Sequence, residues 1–107
     1  TSPRILVLEY GIDHPGEMDF LISIAKPDCA IHTQIDAVHS EQFGNPENIA
    51  KEEFLLVQNA RDMVFLNMDD SYVQDILSTI SCDILTYSAT GKSKDTTLQM
   101  QDKQVQP

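Results

Sequence analysis

Glu9, His39 and the cluster Asn67-Met68-Asp69-Asp70 are the residues whose types and placement could do chemistry. Each follows an apolar run that reads as a β-strand: Ile5-Leu6-Val7-Leu8 leads into Glu9, Cys29-Ala30-Ile31-His32-Thr33 leads through a short loop to His39, and Met63-Val64-Phe65-Leu66 leads into Asn67. In an open parallel sheet the carboxyl ends of the strands share one edge, and ligands bind along it. Acids and a histidine gathered there suit a divalent cation and a phosphate-bearing ligand, because carboxylates hold magnesium directly or through water and imidazole serves as ligand or proton donor. Plainer roles account for the same residues. Glu9 can be a solvated strand-end acid and His39 an ordinary loop residue. Asn67, Asp69 and Asp70 can be turn and cap residues, work those types do well. His14 precedes Pro15 in a turn, and His32 reads as a strand residue with a satisfied hydrogen bond.

Helical patterns lie between the strands. Met18, Leu21, Ile22 and Ala25 fall on one face of a helix over 16–25, stopped by Lys26-Pro27. A polar loop over 34–45 carries His39 and Gly44. Asn45 is a good N-cap, Pro46 a good first helical residue and Glu47 suits the positive end of the dipole, so a second helix runs from Pro46 to Gln58. Val73, Ile76, Leu77 and Ile80 give the stripe of a third helix over 72–80, before a last strand at Asp83–Tyr87. The order β-α-β-α-β-α-β predicts an α/β fold, a mainly parallel sheet with flanking helices and right-handed crossovers. Residues 88–107, polar and rich in glutamine, read as an irregular tail.

The length, 107 residues, bounds the chain to one domain with a modest core. Seventeen acids against seven bases, a formal charge of −10, argue against nucleic acid or an anionic membrane as partner. They leave a nucleotide open, since magnesium bridges acids to phosphates. Cys29 and Cys82 read as buried free thiols of a reducing cytosol, a disulfide being the alternative. No run reaches the length of a membrane span and no signal peptide is visible, so a cytoplasmic location is expected. The opening Thr1-Ser2-Pro3, without Met, reads as a piece of something longer. Gly91-Lys92-Ser93 is not a phosphate-binding P-loop, because the upstream glycine is missing (position 86 is Thr86) and no apolar helix follows.

Four stretches resemble the Mur ligase central domain, in the form of its UDP-N-acetylmuramoyl-tripeptide–D-alanyl-D-alanine ligase branch. Glu9-Tyr10-Gly11-Ile12-Asp13-His14-Pro15-Gly16-Glu17-Met18 resembles the family's Glu-x-Gly-x-Asn-His-Pro-Gly-Glu-Ile. Pro27-Asp28-Cys29-Ala30-Ile31-His32-Thr33-Gln34-Ile35 resembles Pro-Asp-x-Ala-x-x-Thr-Asn-Ile. Ala37-Val38-His39-Ser40-Glu41-Gln42-Phe43-Gly44-Asn45-Pro46-Glu47-Asn48-Ile49-Ala50 resembles Ala-x-His-Leu-Glu-x-Phe-Gly-Ser-x-Glu-x-Ile-Ala, and Asn67-Met68-Asp69-Asp70 resembles Asn-Ala-Asp-Asp. Together they span about residues 5–87 in the family's order, which makes 1–87 a partial ATP-binding central domain.

The resemblance implies an ATP-dependent, ADP-forming amide-bond ligase of peptidoglycan precursor synthesis. In that family ATP phosphorylates the carboxylate of a UDP-muramoyl peptide, and a D-amino acid or dipeptide amine attacks the acyl phosphate. It further implies Glu9 and His39 as Mg2+ ligands, with Asn67, Asp69 and Asp70 beside the ATP cleft. The family's carbamylated lysine falls on Glu53, whose carboxylate could stand in for the carbamate or mark a decayed site. Asp13 and Gln34 each replace an asparagine. The family's P-loop lies upstream of the position of Glu9 and is not in these 107 residues, nor are the domains that flank the central one. The resemblance therefore implies an inactive isolated chain, an active parent or a non-catalytic binding relative, and a bare sheet edge prone to self-association.

Overall fold

The computed structural model describes residues 4–35, 40–93 and 95–98. Its elements are α1 (Glu17–Ile24), β1 (Cys29–His32), α2 (Ser40–Phe43), α3 (Pro46–Gln58), β2 (Met63–Asn67), α4 (Val73–Ile76) with a 3-10 turn at Leu77–Thr79, and β3 (Asp83–Tyr87). The strands form one parallel sheet in the order β1-β2-β3, with Ala30 beside Val64 and Val64 beside Ile84. The expected α/β class with a parallel sheet and flanking helices is what the chain adopts.

Helix α3 shows most directly how local sequence builds the frame. The Asn45 side chain accepts from the Asn48 backbone N–H at 2.9 Å, and Pro46 occupies the first turn, where its missing N–H costs nothing. A cap of this kind contributes about 1 kcal/mol. Ahead of it, Gly44 takes φ 86°, a left-handed turn that glycine adopts without strain and that lets α2 fold back on α3. The buried face of α3 carries Ile49, Ala50, Phe54 and Val57. Ala50, Phe54 and Val57 join Ala30, Val64, Leu66 and Val73 in the core, with Ile76, Leu77 and Ile84 partly buried against it. Val64, Leu66 and Val73 are fully enclosed.

Four expectations need correction. Ile5–Leu8 forms no strand: the run has no ladder partner among the described residues, and Ile5 and Val7 are 93% and 85% exposed. An apolar run becomes a strand only where a neighbour takes up its backbone groups, and among the described residues β1 pairs only with β2. The loop over 34–45 contains α2, anchored by buried Phe43. The third helix is shorter than its apolar stripe. After Ile76 it tightens into the 3-10 turn, where Thr79 Oγ1 donates to the Ile76 carbonyl at 2.6 Å. Both cysteines are free, but Cys29 is exposed, because odd positions of β1 face away from α3 and nothing described covers them.

Helix α1 begins at Gly16, φ 90°, which supplies no side-chain cap. The Glu52 carboxylate of α3 caps it instead: Oε2 accepts from the Gly16 and Met18 backbone N–H groups at 3.1 and 2.9 Å. Met18, which makes the second of these bonds, is the one buried residue of α1.

Candidate functional site

The carboxyl edge of the sheet gathers the ends of β1, β2 and β3, and the polar residues there are tied to one another. Asn67 closes β2. Its Nδ2 donates to the Thr33 carbonyl at 2.6 Å, and its Oδ1 accepts from the Asp69 N–H at 3.0 Å, so one amide joins the end of β1 to the turn after β2. From β3, the Tyr87 hydroxyl donates to the His32 carbonyl at 2.8 Å.

Asp70 is buried at the centre of this edge. Oδ2 accepts from His32 Nε2 at 2.9 Å and from the Ile35 N–H at 3.1 Å, while Oδ1 accepts from the Tyr72 N–H at 3.0 Å. A carboxylate only accepts, so Nε2 is the protonated ring nitrogen of His32. The pair is almost wholly enclosed, with 7% and 5% of the side chains exposed. The His32 ring meets the edge of Phe54, centroids 4.8 Å apart.

Asp69 points the other way, over the segment after β3. Ser88 Oγ donates to Oδ1 at 2.5 Å and the Thr90 N–H to Oδ2 at 2.9 Å. Ser88 Oγ in turn accepts from the Gly91 N–H at 3.0 Å, and Ser93 Oγ donates to the Met68 carbonyl at 3.1 Å. The Ser88 hydroxyl bond, followed by the bond from Thr90, holds the Asp69 carboxyl down to about 2 from its ordinary 3.8. Burial, and then the Asp69 charge, push the Tyr87 phenol up.

A pH dependence follows. A carboxyl depressed by folding stabilises fully above its unfolded value and loses that stabilisation as pH falls through the folded one. The Asp69 contribution is therefore complete above about pH 4 and lost toward pH 2. Carbon-detected NMR titration of the Asp69 carboxyl should give a midpoint near 2 in the natural chain and a higher one in Ser88→Ala. Equal midpoints in the two chains would remove Ser88 as the cause.

Glu9, His39 and Glu53 are the other sequence-derived positions. Glu9 is exposed and has no polar partner among the described residues. His39 lies outside the described residues. Glu53 is half-buried on α3, one residue beyond Glu52 and two beyond exposed Lys51. Pro15, Phe43, Asn48, Lys51, Glu52 and Leu55 line an open cleft of about 350 Å³ between the α1 entrance and α3. Among the described residues no three acids, histidines or cysteines converge in a metal-binding group. Both oxygens of Asp69 and of Asp70 are taken by protein donors, whereas the Glu9 carboxylate is open and of the right chemistry for a hard cation. Ser88 and Glu52 were not singled out by type or spacing. Their partners lie 19 residues upstream and up to 36 residues upstream, beyond any local pattern.

Comparison with known proteins gives consistent results. A family model described as "Mur ligase middle domain" matches residues 1–106. The chain is 33% identical over 99 residues to the UDP-N-acetylmuramoyl-tripeptide–D-alanyl-D-alanine ligase of Bacillus subtilis, covering 92% of this chain and 21% of that protein. It is 30% identical over 76 residues to the ligase of the same name from Rickettsia prowazekii, covering 69% and 17%. It is 29% identical over 89 residues to the UDP-N-acetylmuramate–L-alanine ligase of Desulforamulus reducens, covering 81% and 19%. The chain thus spans about a fifth of the length of these relatives. No solved structure matches it significantly.

Proposed function

The chain belongs to the Mur ligase middle-domain family, and on that premise we propose that it is part of the phosphoryl-transfer domain of an ATP-dependent acid–amine ligase of peptidoglycan precursor synthesis. The carrying observation is the family match over residues 1–106, together with a parallel sheet that has Asn67, Asp69 and Asp70 at its carboxyl edge. The names of the relatives point to a UDP-muramoyl peptide as the acid and a D-alanyl-D-alanine-type amine as the acceptor. The full-length ligase would join them in the cytoplasm, where nucleotide-activated precursors and ATP are at hand. Among the described residues no helix is long and apolar enough to cross a membrane.

Glu9 and His39 would hold Mg2+, which supplies neutralisation of the crowded phosphate oxygens. Glu53 would add a second negative charge from α3. Asn67, Asp69 and Asp70 would form the wall beside ATP, and their internal bonds suit the part, since a wall must be rigid before ligand arrives. The 107 residues contain no glycine-rich phosphate loop, so the phosphates need donors from the rest of the ligase. A second reading, a non-catalytic relative, draws on Glu53 at the family's lysine position.

The test uses a full-length ligase carrying this segment. Glu9→Gln is expected to lower ADP release and ligation together by about 10²-fold or more, comparable to removing one preorganised electrostatic contact. Its urea midpoint should stay unchanged, because Glu9 is exposed and unpartnered among the described residues. Undiminished turnover would sink the magnesium role. An inactive natural sequence that gains activity on Glu53→Lys would favour the non-catalytic reading.

A further inference from the structure

The turn that joins Glu9 to α1 is braced by side chains at both of its ends. Tyr10, the residue after Glu9, is half-buried, and its hydroxyl donates to the Ala25 carbonyl where α1 ends. Glu17, the first residue of α1, accepts from the Asp13 N–H at 3.0 Å and meets His14 Nδ1 at 3.1 Å. At the start of α1, Glu52 Oε2 takes the Gly16 and Met18 N–H groups at 3.1 and 2.9 Å. Helix α1 is therefore a strut: its start is tied to α3, and its end to the residue beside Glu9.

We propose that Glu52 and Tyr10 are positioning residues for the Glu9 carboxylate, acting through α1, a role that rests on the magnesium reading of Glu9 given above. Glu9 is exposed and makes no polar contact of its own among the described residues. Gly11, two residues on, adds backbone freedom to the turn. A ligand that must find its place after the ion arrives binds more weakly than one already held. The peptide plane between Glu9 and Tyr10 is rigid, so an anchor on the Tyr10 side chain limits the directions open to Glu9. The other anchor is as well placed. Glu52 stands one residue before Glu53 on α3. The helix turn that carries the second proposed negative charge therefore also fixes the start of α1, and the two carboxylates are set relative to each other by one frame. Tyr10 and Glu52 do this as hydrogen-bonding groups directed at the backbone of α1, not as ligands of the ion.

The test uses a full-length ligase carrying this segment. It reads the Mg2+ concentration for half-maximal ADP release and, independently of turnover, Mn2+ binding by electron paramagnetic resonance. Glu52→Ala and Tyr10→Phe should each raise the Mg2+ requirement and weaken Mn2+ binding by about tenfold, the lower end of what losing a supporting contact costs a metal site. The kcat at saturating Mg2+ should be largely kept. Glu52→Gln retains an acceptor oxygen for the Gly16 and Met18 N–H groups and should restore most of the binding. Asn45→Ala removes a cap from α3 without touching α1, and should leave metal binding as it is. Unchanged metal binding in Glu52→Ala or in Tyr10→Phe, beside weakened binding in Glu9→Gln, overturns the proposal and leaves the magnesium role of Glu9 standing. Unchanged binding in Glu9→Gln removes that role and the proposal with it. Binding weakened as much by Asn45→Ala as by Glu52→Ala makes the effect one of general stability and overturns the proposal too.

Discussion

Asp70→Ala should cost the domain about 3–5 kcal/mol, the range for removing one partner of a buried charged pair. The carboxylate receives His32 Nε2, the Ile35 N–H and the Tyr72 N–H, and alanine leaves all three without an acceptor in a site that excludes water. His32→Leu is the internal reference. It removes one donor and leaves Asp70 two backbone partners, so its cost should be smaller, about 1–2 kcal/mol. Urea unfolding of both variants checks the order. If Asp70→Ala costs no more than His32→Leu, the carboxylate is not the anchor of the edge. A domain this small has only about 5–15 kcal/mol in total, so the alanine variant should be partly unfolded before denaturant is added.

Phe54→Ala carries the second large effect. The ring is 1% exposed, lies in the centre of the core and supports the His32 imidazole edge-on at 4.8 Å. Large-to-small substitution at such a site costs about 3–5 kcal/mol, from lost transfer energy and the cavity left behind. The aromatic contact makes the loss non-additive with His32→Leu, since the two residues share it. A double-mutant cycle read by urea midpoints should therefore give a non-zero coupling. Strict additivity would show that the ring serves only as filling.

What could be read in the sequence follows the range of the interactions. Helix α3 was legible to the residue, because Asn45, Pro46 and the apolar positions act within a few residues of one another. The strands at 29, 63 and 83 were legible as compact apolar runs between breakers. The run at Ile5–Leu8 has the same composition and is no strand, because strand formation also depends on a partner. At the sheet edge, Asn67, Asp69 and Asp70 were recognisable as turn or site residues. Their actual partners were not, since His32, Thr33, Ser88 and Thr90 are brought to them only by the sheet register. Asp70 engages the local Tyr72 N–H and distant His32 at once, so the turn reading caught half of its role. His39 lies outside the described residues.

The Glu52 cap has a consequence for the order of assembly. An eight-residue helix is too short to persist in water on its own, and α1 has no capping side chain of its own. The carboxylate that caps its start lies 34 and 36 residues further along the chain. Closing those loops costs chain entropy that is recovered only after α3 is in place to present Glu52. Helix α1 is thus a late and dependent element, consolidating after α3 and opening before it. Its amides should exchange with solvent ahead of those of α3, and the cleft between the two helices should breathe on the same timescale.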